Sequence, residues 1–229
     1  MHGSSAPPHI AIEARNVTLS LSQTEILKGV DLSIRQGESL AILGPSGSGK
    51  SSLMAILSGL ERASGGSVRV ADIDYGPLDE DGLARARRGR IGIILQSFHL
   101  LPTMTAMENV AVPLELAGTA DPFTRAAAEL EAVGLGHRLH HYPAQLSGGE
   151  QQRVAIARAV APGPRILFAD EPTGNLDGAT SDAIVDLIFA RQVANDATLV
   201  IITHDPALAA RCDRIVEMRD GHIVSERVA

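Results

Sequence analysis

One glycine-rich stretch constrains the fold more than any other part of the sequence. Residues 44–51 fit the pattern G-x-x-x-x-G-K-[ST]. The apolar run 39–43 before it predicts a buried strand, and residues 52–60 carry leucine and isoleucine at helical spacing. Such a loop between strand and helix can turn several backbone N–H groups toward one anion, and the helix N-terminus adds partial positive charge. We therefore predict a phosphate-binding loop rather than an ordinary glycine-rich turn.

The polar side chains of this loop indicate which ligand it binds. Lys50 is expected to reach the β- and γ-phosphates of a nucleotide, and the Ser51 hydroxyl is expected to bind Mg²⁺. The residues predicted to contact the nucleotide are consecutive: Gly44, Pro45, Ser46, Gly47, Ser48, Gly49, Lys50, Ser51 and Ser52.

Charge and hydrophobicity narrow the classes of partner. The net charge of −7 argues against a nucleic-acid partner, so the cluster of Arg85, Arg87, Arg88 and Arg90 predicts a solvated face. No apolar run approaches the ~20 residues that span a bilayer, and residues 1–8 lack the apolar centre of a signal peptide. We expect a soluble protein whose membrane role, if it has one, depends on a partner.

Cysteine and histidine do not predict a structural metal site. Cys212 is the only cysteine, which excludes an internal disulfide, favours a reducing compartment and predicts a packed side chain. His137, His140 and His141 have no accompanying acidic ligand pattern, so they predict an exposed polar turn.

Strand and helix patterns alternate along most of the chain, which predicts an α/β fold with a mainly parallel sheet. Strands are predicted at 10–17, 26–34, 39–43, 68–70, 91–95, 166–169 and 199–203, and a hairpin at 214–218 and 222–228. Helices are predicted at 52–60, 79–90, 105–117, 122–133, 148–161, 179–193 and 206–212. Since residues 97–145 show no strand pattern, we interpret them as a helical insertion. The prediction is one domain, 1–229, with an α/β core (9–96 and 155–229) and a helical subdomain (97–154).

Two adjacent carboxylates follow a buried strand. Asp170 and Glu171 stand at the end of the run 166–169, where α/β sheets place their ligands. Asp170 is expected to bind Mg²⁺ directly or through water. Strand alternation directs Glu171 to the opposite side of the sheet, where it could polarise an attacking water. The alternative is a strand exit with two solvated acids.

A second helix start with glycines lies far along the chain. Ser147 is a predicted N-cap, and Glu150 stands three residues later, as in a capping box. Gly148 and Gly149 make the same helix start a second potential anion site.

The segment 146–153, Leu-Ser-Gly-Gly-Glu-Gln-Gln-Arg, resembles the signature motif of ABC transporter ATP-binding subunits. The resemblance covers about residues 10–227 and implies a P-loop NTPase of the RecA-like class, with an N-terminal antiparallel β part and a helical subdomain that carries the signature motif. It implies that ATP and Mg²⁺ bind, and that two copies face head to tail.

The resemblance also implies a role for each matching residue. The implied catalytic residues are Glu171, His204 and Lys50; the implied Mg²⁺ ligands are Ser51, Gln96 and Asp170. The implied contacts to the ATP of the other subunit are Ser147, Gly148, Gly149 and Glu150, and Asp177 belongs to the loop that crosses the dimer interface. For His204, the alternative is an ordinary histidine at a strand end.

Residues 96–110 and 168–177 resemble the lipoprotein-releasing and macrolide-export branch of the family more narrowly. This implies a permease partner at the inner face of the cytoplasmic membrane, and export or mechanical work across the envelope. The alternative is a soluble ABC ATPase that is not coupled to transport. Apolar side chains are dense in the segment after Gln96, which indicates either a permease docking patch or packing in a helical core: Phe98, Leu100, Leu101 and Met104.

The sequence departs from the family at the expected adenine contact. The family usually places an aromatic residue near the end of the first strand, a position that aligns with Leu21. No Phe, Tyr or Trp precedes Tyr75, so adenine is expected to rest on aliphatic side chains such as Leu21 and Val30. This predicts weak nucleotide affinity and poor discrimination between ATP and GTP.

Overall fold

The computed structural model describes residues 9–228, which form two β-sheets and a set of helices. The strands are β1 Ile10–Leu21, β2 Thr24–Arg35, β3 Ser39–Leu43, β4 Gly65–Val70, β5 Ile73–Asp74, β6 Ile91–Leu95, β7 Ile166–Asp170, β8 Thr198–Ile202, β9 Arg214–Arg219 and β10 His222–Val228. The helices are α1 Lys50–Leu57, α2 Glu80–Arg87, α3 Ala106–Leu116, α4 Pro122–Ala132, α5 Gly148–Val160, α6 Gly178–Ala194 and α7 Pro206–Ala209. Short 3-10 turns lie at Gly136–Arg138 and Pro143–Gln145.

The larger sheet is mainly parallel, as the alternating pattern predicts. Its strand order is β10-β9-β3-β8-β7-β6, and only the β9–β10 pair is antiparallel. The smaller sheet, β2-β1-β4-β5, is antiparallel throughout. The fold is therefore the predicted P-loop NTPase core with an N-terminal antiparallel part.

The larger sheet is covered on both faces, which explains the continuous apolar runs of its central strands. Leu40 and Ile42 of β3 join a core cluster that also contains α1 and the antiparallel sheet. Ala41, one position between them, belongs to the cluster on the opposite face, with α5, α6 and α7. The sheet is thus fixed from both sides, and the loops at its strand ends start from rigid positions.

The helices α3, α4 and α5 enclose a third apolar cluster, which includes Val110, Leu114 and Leu130. Helix α5 serves two clusters, because Val154 packs in this helical cluster and Ile156 packs against the larger sheet. The boundary proposed from sequence between residues 154 and 155 falls inside this one helix. The division into core and helical subdomain remains a proposal.

Several element limits differ from the predictions. Strand β1 continues four residues beyond 17, β4 begins at Gly65 where a turn was expected, and β5 was not predicted. Helix α1 begins at Lys50 rather than Ser52 and ends at Leu57. It ends early because Gly59 has a φ of 73° and the Leu60 N–H bonds back to the Ala55 carbonyl.

The structure also bears on three other predictions, which concern the cysteine, the arginine cluster and membrane-spanning segments. Cys212 is buried, as predicted, and burial raises the pKa of its thiol to about 12. Arg85, Arg88 and Arg90 are exposed, whereas Arg87 donates to the Gly59 carbonyl at 2.9 Å. None of the helices within residues 9–228 has the length and apolar character needed to cross a membrane.

Candidate nucleotide-binding site

A cavity of about 560 Å³ opens at the carboxyl ends of β3, β8, β7 and β6. Seven residues of the segment 44–52 line it, together with Gln96, Asp170, Glu171 and His204. With Ile26 of β2, the topology thus gathers residues from five parts of the chain that are up to 178 positions apart. Pro45 and Ser48 do not line the cavity; Ser48 is buried.

The loop after β3 is built from left-handed glycine conformations. Gly44 has a φ of 151°, and a Cβ at this position would lie 2.2 Å from the Met218 carbonyl oxygen. Gly49 has a φ of 97° and caps the start of α1. The Lys50 Nζ donates to the carbonyls of Gly44 (2.8 Å) and Pro45 (2.9 Å), so the ammonium lies across the loop. These bonds hold a buried positive charge where phosphate groups would bind.

Asp170 and Glu171 lie side by side at the end of β7. Burial raises the pKa of the Asp170 carboxyl; the Ser51 hydroxyl opposes this rise, as does the more weakly acting Lys50 charge. The expectation that Glu171 points to the opposite side of the sheet is wrong. The strand ends at Asp170, and Glu171 has a φ of 45°, so the backbone turns and both side chains face the cavity.

His204 contacts Glu171 directly, with its Nδ1 2.8 Å from the Glu171 Oε2. The histidine follows β8, and its side chain is largely exposed toward the cavity mouth, with 75% of its surface accessible. This contact joins the two residues that the resemblance assigns to catalysis.

The signature segment lies outside this cavity. Ser147 and Gly148 are exposed, and none of the residues 147–150 lines the cavity of the same chain. The capping box is present: the Glu150 N–H donates to the Ser147 Oγ (3.3 Å), and the Ser147 N–H donates to the Glu150 carboxylate (2.8 Å). That bond from Ser147 is the main reason why the pKa of Glu150 is lowered. A single chain therefore presents the phosphate loop and the signature helix start as separate surfaces.

Asp177 begins a second exposed helix start. Its carboxylate accepts from the Thr180 N–H at 2.9 Å, which lowers its pKa and caps α6. Upstream, the Asn175 side-chain amide donates to the Gln96 carbonyl at 2.9 Å. The predicted interface loop is thus connected to Gln96, a predicted Mg²⁺ ligand.

The turn with three histidines supports the signature helix. Arg138 in this turn contacts His141 (3.1 Å) and donates to the Glu150 carboxylate (2.9 Å). Among residues 9–228 no group of three or more His, Cys, Asp or Glu side chains is arranged to hold a metal ion.

Sequence patterns did not predict three polar residues around the site: Asn109 and Gln152, which are buried, and Arg158, which is half-buried. Asn109 bonds to the backbone of the loop before α3, Arg158 donates to the carbonyls of Phe98 and His99, and Gln152 donates to the Pro172 carbonyl. Their partners are backbone atoms up to 60 positions away. No local pattern marks such contacts, although a polar residue on the apolar side of a helix is a weak signal.

Neither of the two expected adenine contacts, Leu21 and Val30, lines the cavity. Leu21 is 54% exposed at the end of β1, whereas Val30 is 1% exposed in the core, so naming Val30 was wrong. Val30 faces inward with Leu32 and Ile34, and a register shift at Gly29 (φ 82°) breaks the alternation between Val30 and the residues before it. Ile26, four positions earlier, lines the cavity, and no Phe, Tyr or Trp of the described residues does so.

We expect the Leu21→Tyr variant to bind ATP more tightly than the natural chain. Stacking on an aromatic ring contributes ~1–3 kcal/mol per base, and an aliphatic side chain recovers only part of this. Titration of ATP and GTP into both proteins measures the effect, with Leu60→Tyr as a matched control at another exposed leucine. Strong preference for ATP in the natural chain, or unchanged affinity in Leu21→Tyr, would contradict the assignment.

The fold and the site together define a P-loop ATPase. Besides the phosphate loop, it has a second glycine-containing helix start, the exposed start of the signature helix α5. The chain belongs to the ABC transporter family, whose sequence pattern matches residues 27–174. Members of this family hydrolyse ATP, and the chain is an ATP hydrolase of this type.

Individual relatives agree with the narrower resemblance. The chain is 47% identical over 226 residues to the "Uncharacterized ABC transporter ATP-binding protein YbbA" of Escherichia coli K12, covering 96% of this chain and 99% of that protein. It is 51% identical to the "Lipoprotein-releasing system ATP-binding protein LolD" of Anaeromyxobacter dehalogenans (89% and 86% covered). It is 47% identical to the "Macrolide export ATP-binding/permease protein MacB" of Marinobacter nauticus (96% and 35% covered).

A solved structure supports the fold assignment. The "Dimeric Structure of MJ0796, a Bacterial ABC Transporter Cassette" superimposes with a TM-score of 0.87 at 39% identity and covers 95% of this chain and 98% of that one. A second structure, of MJ0796 in a post-hydrolysis state bound to ADP and Pi, also gives a TM-score of 0.87. Both structures of MJ0796 are described as dimeric.

Proposed function

We propose that this chain dimerises head to tail with ATP, hydrolyses it and thereby powers a membrane permease. The observation that carries the proposal is the separation of the two helix starts in one chain: the phosphate loop lines the cavity, while Ser147 and Gly148 are exposed outside it. A second copy can bring its signature helix to the first copy's nucleotide. Each of the two sites would then contain residues from both chains.

The chain has a suitable set of oxygen ligands for Mg²⁺. Asp170, Ser51 and Gln96 line one cavity and supply a carboxylate, a hydroxyl and an amide, which are the hard oxygen donors that Mg²⁺ prefers. Burial disfavours the charge of Asp170, and a bound cation would offset that cost. When bound, Mg²⁺ neutralises charge on the phosphates.

Glu171 and His204 are suited to the hydrolytic step. The Glu171 carboxylate faces the cavity beyond the phosphate loop and can accept a proton from water. His204 contacts this carboxylate at 2.8 Å and can hold it in place. Lys50 and the loop N–H groups bind phosphate on the other side.

The permease contact is proposed for the loop that follows Gln96. Asn109 fixes this loop by accepting from the Leu101 N–H (2.7 Å) and donating to the Leu101 and Met104 carbonyls (both 3.1 Å). The Leu101 side chain is 42% exposed, whereas Leu100 packs against the helical cluster. The exposure of Leu101 thus fits a permease docking patch, whereas the position of Leu100 fits packing in a helical core.

The names of the relatives suggest the kind of system served. LolD is named for lipoprotein release and MacB for macrolide export. We propose that this chain acts in an export or envelope mechanotransmission system, on the cytoplasmic side of the inner membrane, where a permease holds it. Affinity purification of the chain from membranes tests this, because a transport subunit should co-purify with an integral membrane protein in the presence of ATP. Recovery of active enzyme only as a membrane-free species would favour the soluble ATPase.

Leu101→Asp should uncouple the ATPase from its permease and leave basal hydrolysis within about twofold of the natural chain. A charge on an exposed docking residue disrupts an apolar contact without entering the nucleotide cavity. The measurement is ATPase activity with and without the reconstituted permease. Leu60→Asp, at a similarly exposed leucine remote from the loop, is the matched control. Loss of folding or of basal activity in Leu101→Asp would favour the core interpretation.

A further inference from the structure

Gln152 is a fully buried polar residue on the signature helix. Its side chain is 0% exposed, and its Nε2 donates to the Pro172 carbonyl at 2.7 Å. Among residues 9–228 its Oε1 has no hydrogen-bond partner. Burying a half-satisfied amide costs free energy that an apolar side chain of the same size would avoid. The residue is therefore poorly explained by stability alone.

The partner of Gln152 lies directly beside the proposed catalytic carboxylate. Pro172 follows Glu171, whose φ of 45° is unusual for a residue with a side chain. The Glu171 N–H donates to the Ile202 carbonyl, and its own carbonyl accepts from Gly174. The direction of the Glu171 side chain thus depends on a strained turn. Gln152 hydrogen-bonds to Pro172, the residue that follows Glu171.

The same helix packs against the far end of this turn. A Cβ at Gly149 would lie 2.6 Å from the Thr180 Cγ2, and one at Gly148 would lie 3.6 Å from Leu176. The start of α5 therefore touches the start of α6, and Gln152 touches Pro172. Because α5 holds the segment 172–180 at both ends, a shift of the helix must move the turn that carries Glu171.

We propose that Gln152 is a positioning residue that orients Glu171 through Pro172. Hydrolysis by each chain would then depend on the position of that chain's own signature helix. Gln152 lies about 7.5 Å along the helix from Ser147, the residue proposed to meet the partner's ATP. Engagement of that ATP would be transmitted through Gln152 to Pro172 and Glu171. The inference rests on the proposed catalytic role of Glu171 and adds a link between the two nucleotide sites.

Gln152→Met tests the proposal, because methionine keeps the length of the side chain and removes the donor. We expect kcat to fall at least tenfold while the KM for ATP stays within twofold, since the phosphate loop is untouched. The matched control is Gln192→Met, which removes a similar bond from a glutamine amide to the Gly37 carbonyl (3.2 Å) far from the cavity. The control should keep its kcat, and the melting temperatures of the two variants should be similar.

The outcomes separate this inference from the proposed function. Normal turnover in Gln152→Met, or a loss of kcat no larger than in the control, overturns the inference. If Gln152→Met does not fold, Gln152→Asn, which keeps the amide but cannot reach Pro172, is judged by the same criteria. Glu171→Gln alone tests the catalytic role. The double variant Glu171→Gln, Gln152→Met should still form an ATP-dependent dimer, because positioning is not needed for binding; its failure to dimerise where Glu171→Gln succeeds also overturns the inference.

Discussion

Glu171→Gln is expected to bind ATP normally and to lose hydrolysis by at least about a hundredfold, the scale of a lost general base. The amide cannot accept a proton from water, whereas Lys50 and the phosphate loop remain intact. Nucleotide would then stay bound between two chains, and the ATP-bound dimer would not separate. Size-exclusion chromatography with ATP detects the dimer, and a phosphate-release assay measures turnover.

The control for this variant is Glu131→Gln, an exposed glutamate of α4 remote from the cavity. It should hydrolyse ATP like the natural chain and should not accumulate a stable dimer. Near-normal hydrolysis by Glu171→Gln would remove this residue from its role. If Glu171→Gln is inactive but stays monomeric with ATP, the result would instead count against the head-to-tail dimer.

A mixture of Lys50→Ala and Ser147→Arg chains should regain activity that neither variant has alone. If Ser147 acts on the ATP of the other subunit, a mixed dimer contains one intact site and one doubly impaired site. Random pairing makes half of the dimers mixed, so we expect roughly a quarter of the natural activity in a symmetric dimer. If Ser147 served its own chain, both sites of every mixed dimer would be impaired.

If both sites must hydrolyse together, the mixed dimer would be inactive even with the trans geometry. Measuring how much ATP the dimer retains distinguishes this case from a wrong geometry. With Glu171→Gln added to both chains, the mixed dimer should retain one ATP, whereas the dimer without the other two substitutions should retain two. Ser147→Thr, which preserves a side-chain oxygen for the helix cap, is the control for simple loss of the cap. Absence of both complementation and retained ATP would refute the trans geometry.

Much of the nucleotide site could be predicted from sequence because its parts are local. The phosphate loop needs a strand, three glycines and a helix start within about twenty residues, and all of these are visible in the order of residues 39–60. The capping box of Ser147 and Glu150 spans one helical turn, and both of its hydrogen bonds are formed. Such interactions depend on neighbours in sequence, so residue type and spacing are sufficient to predict them.

The direction of side chains at the strand ends depended on the tertiary structure. Strand alternation placed Glu171 on the wrong side, because the rule fails where the backbone leaves the strand in a left-handed conformation. The choice between Ile26 and Val30 likewise depended on the register shift at Gly29 of β2, which breaks the alternation between these two residues. The residue at which side chains stop alternating between the two faces of a strand is known only once the neighbouring elements are in place.

The sequence by itself determined the family, the phosphate loop and the identity of the carboxylates, since these reside in short contiguous motifs. Only the tertiary structure brought Gln152 to Pro172, Arg158 to Phe98 and Asn175 to Gln96. Each of these bonds joins a side chain to a backbone carbonyl, and every residue of the chain, proline included, offers such a carbonyl. A sequence therefore carries no mark of which distant carbonyl a side-chain amide or guanidinium will meet, and the packing of α5 and α6 against the sheet decides it.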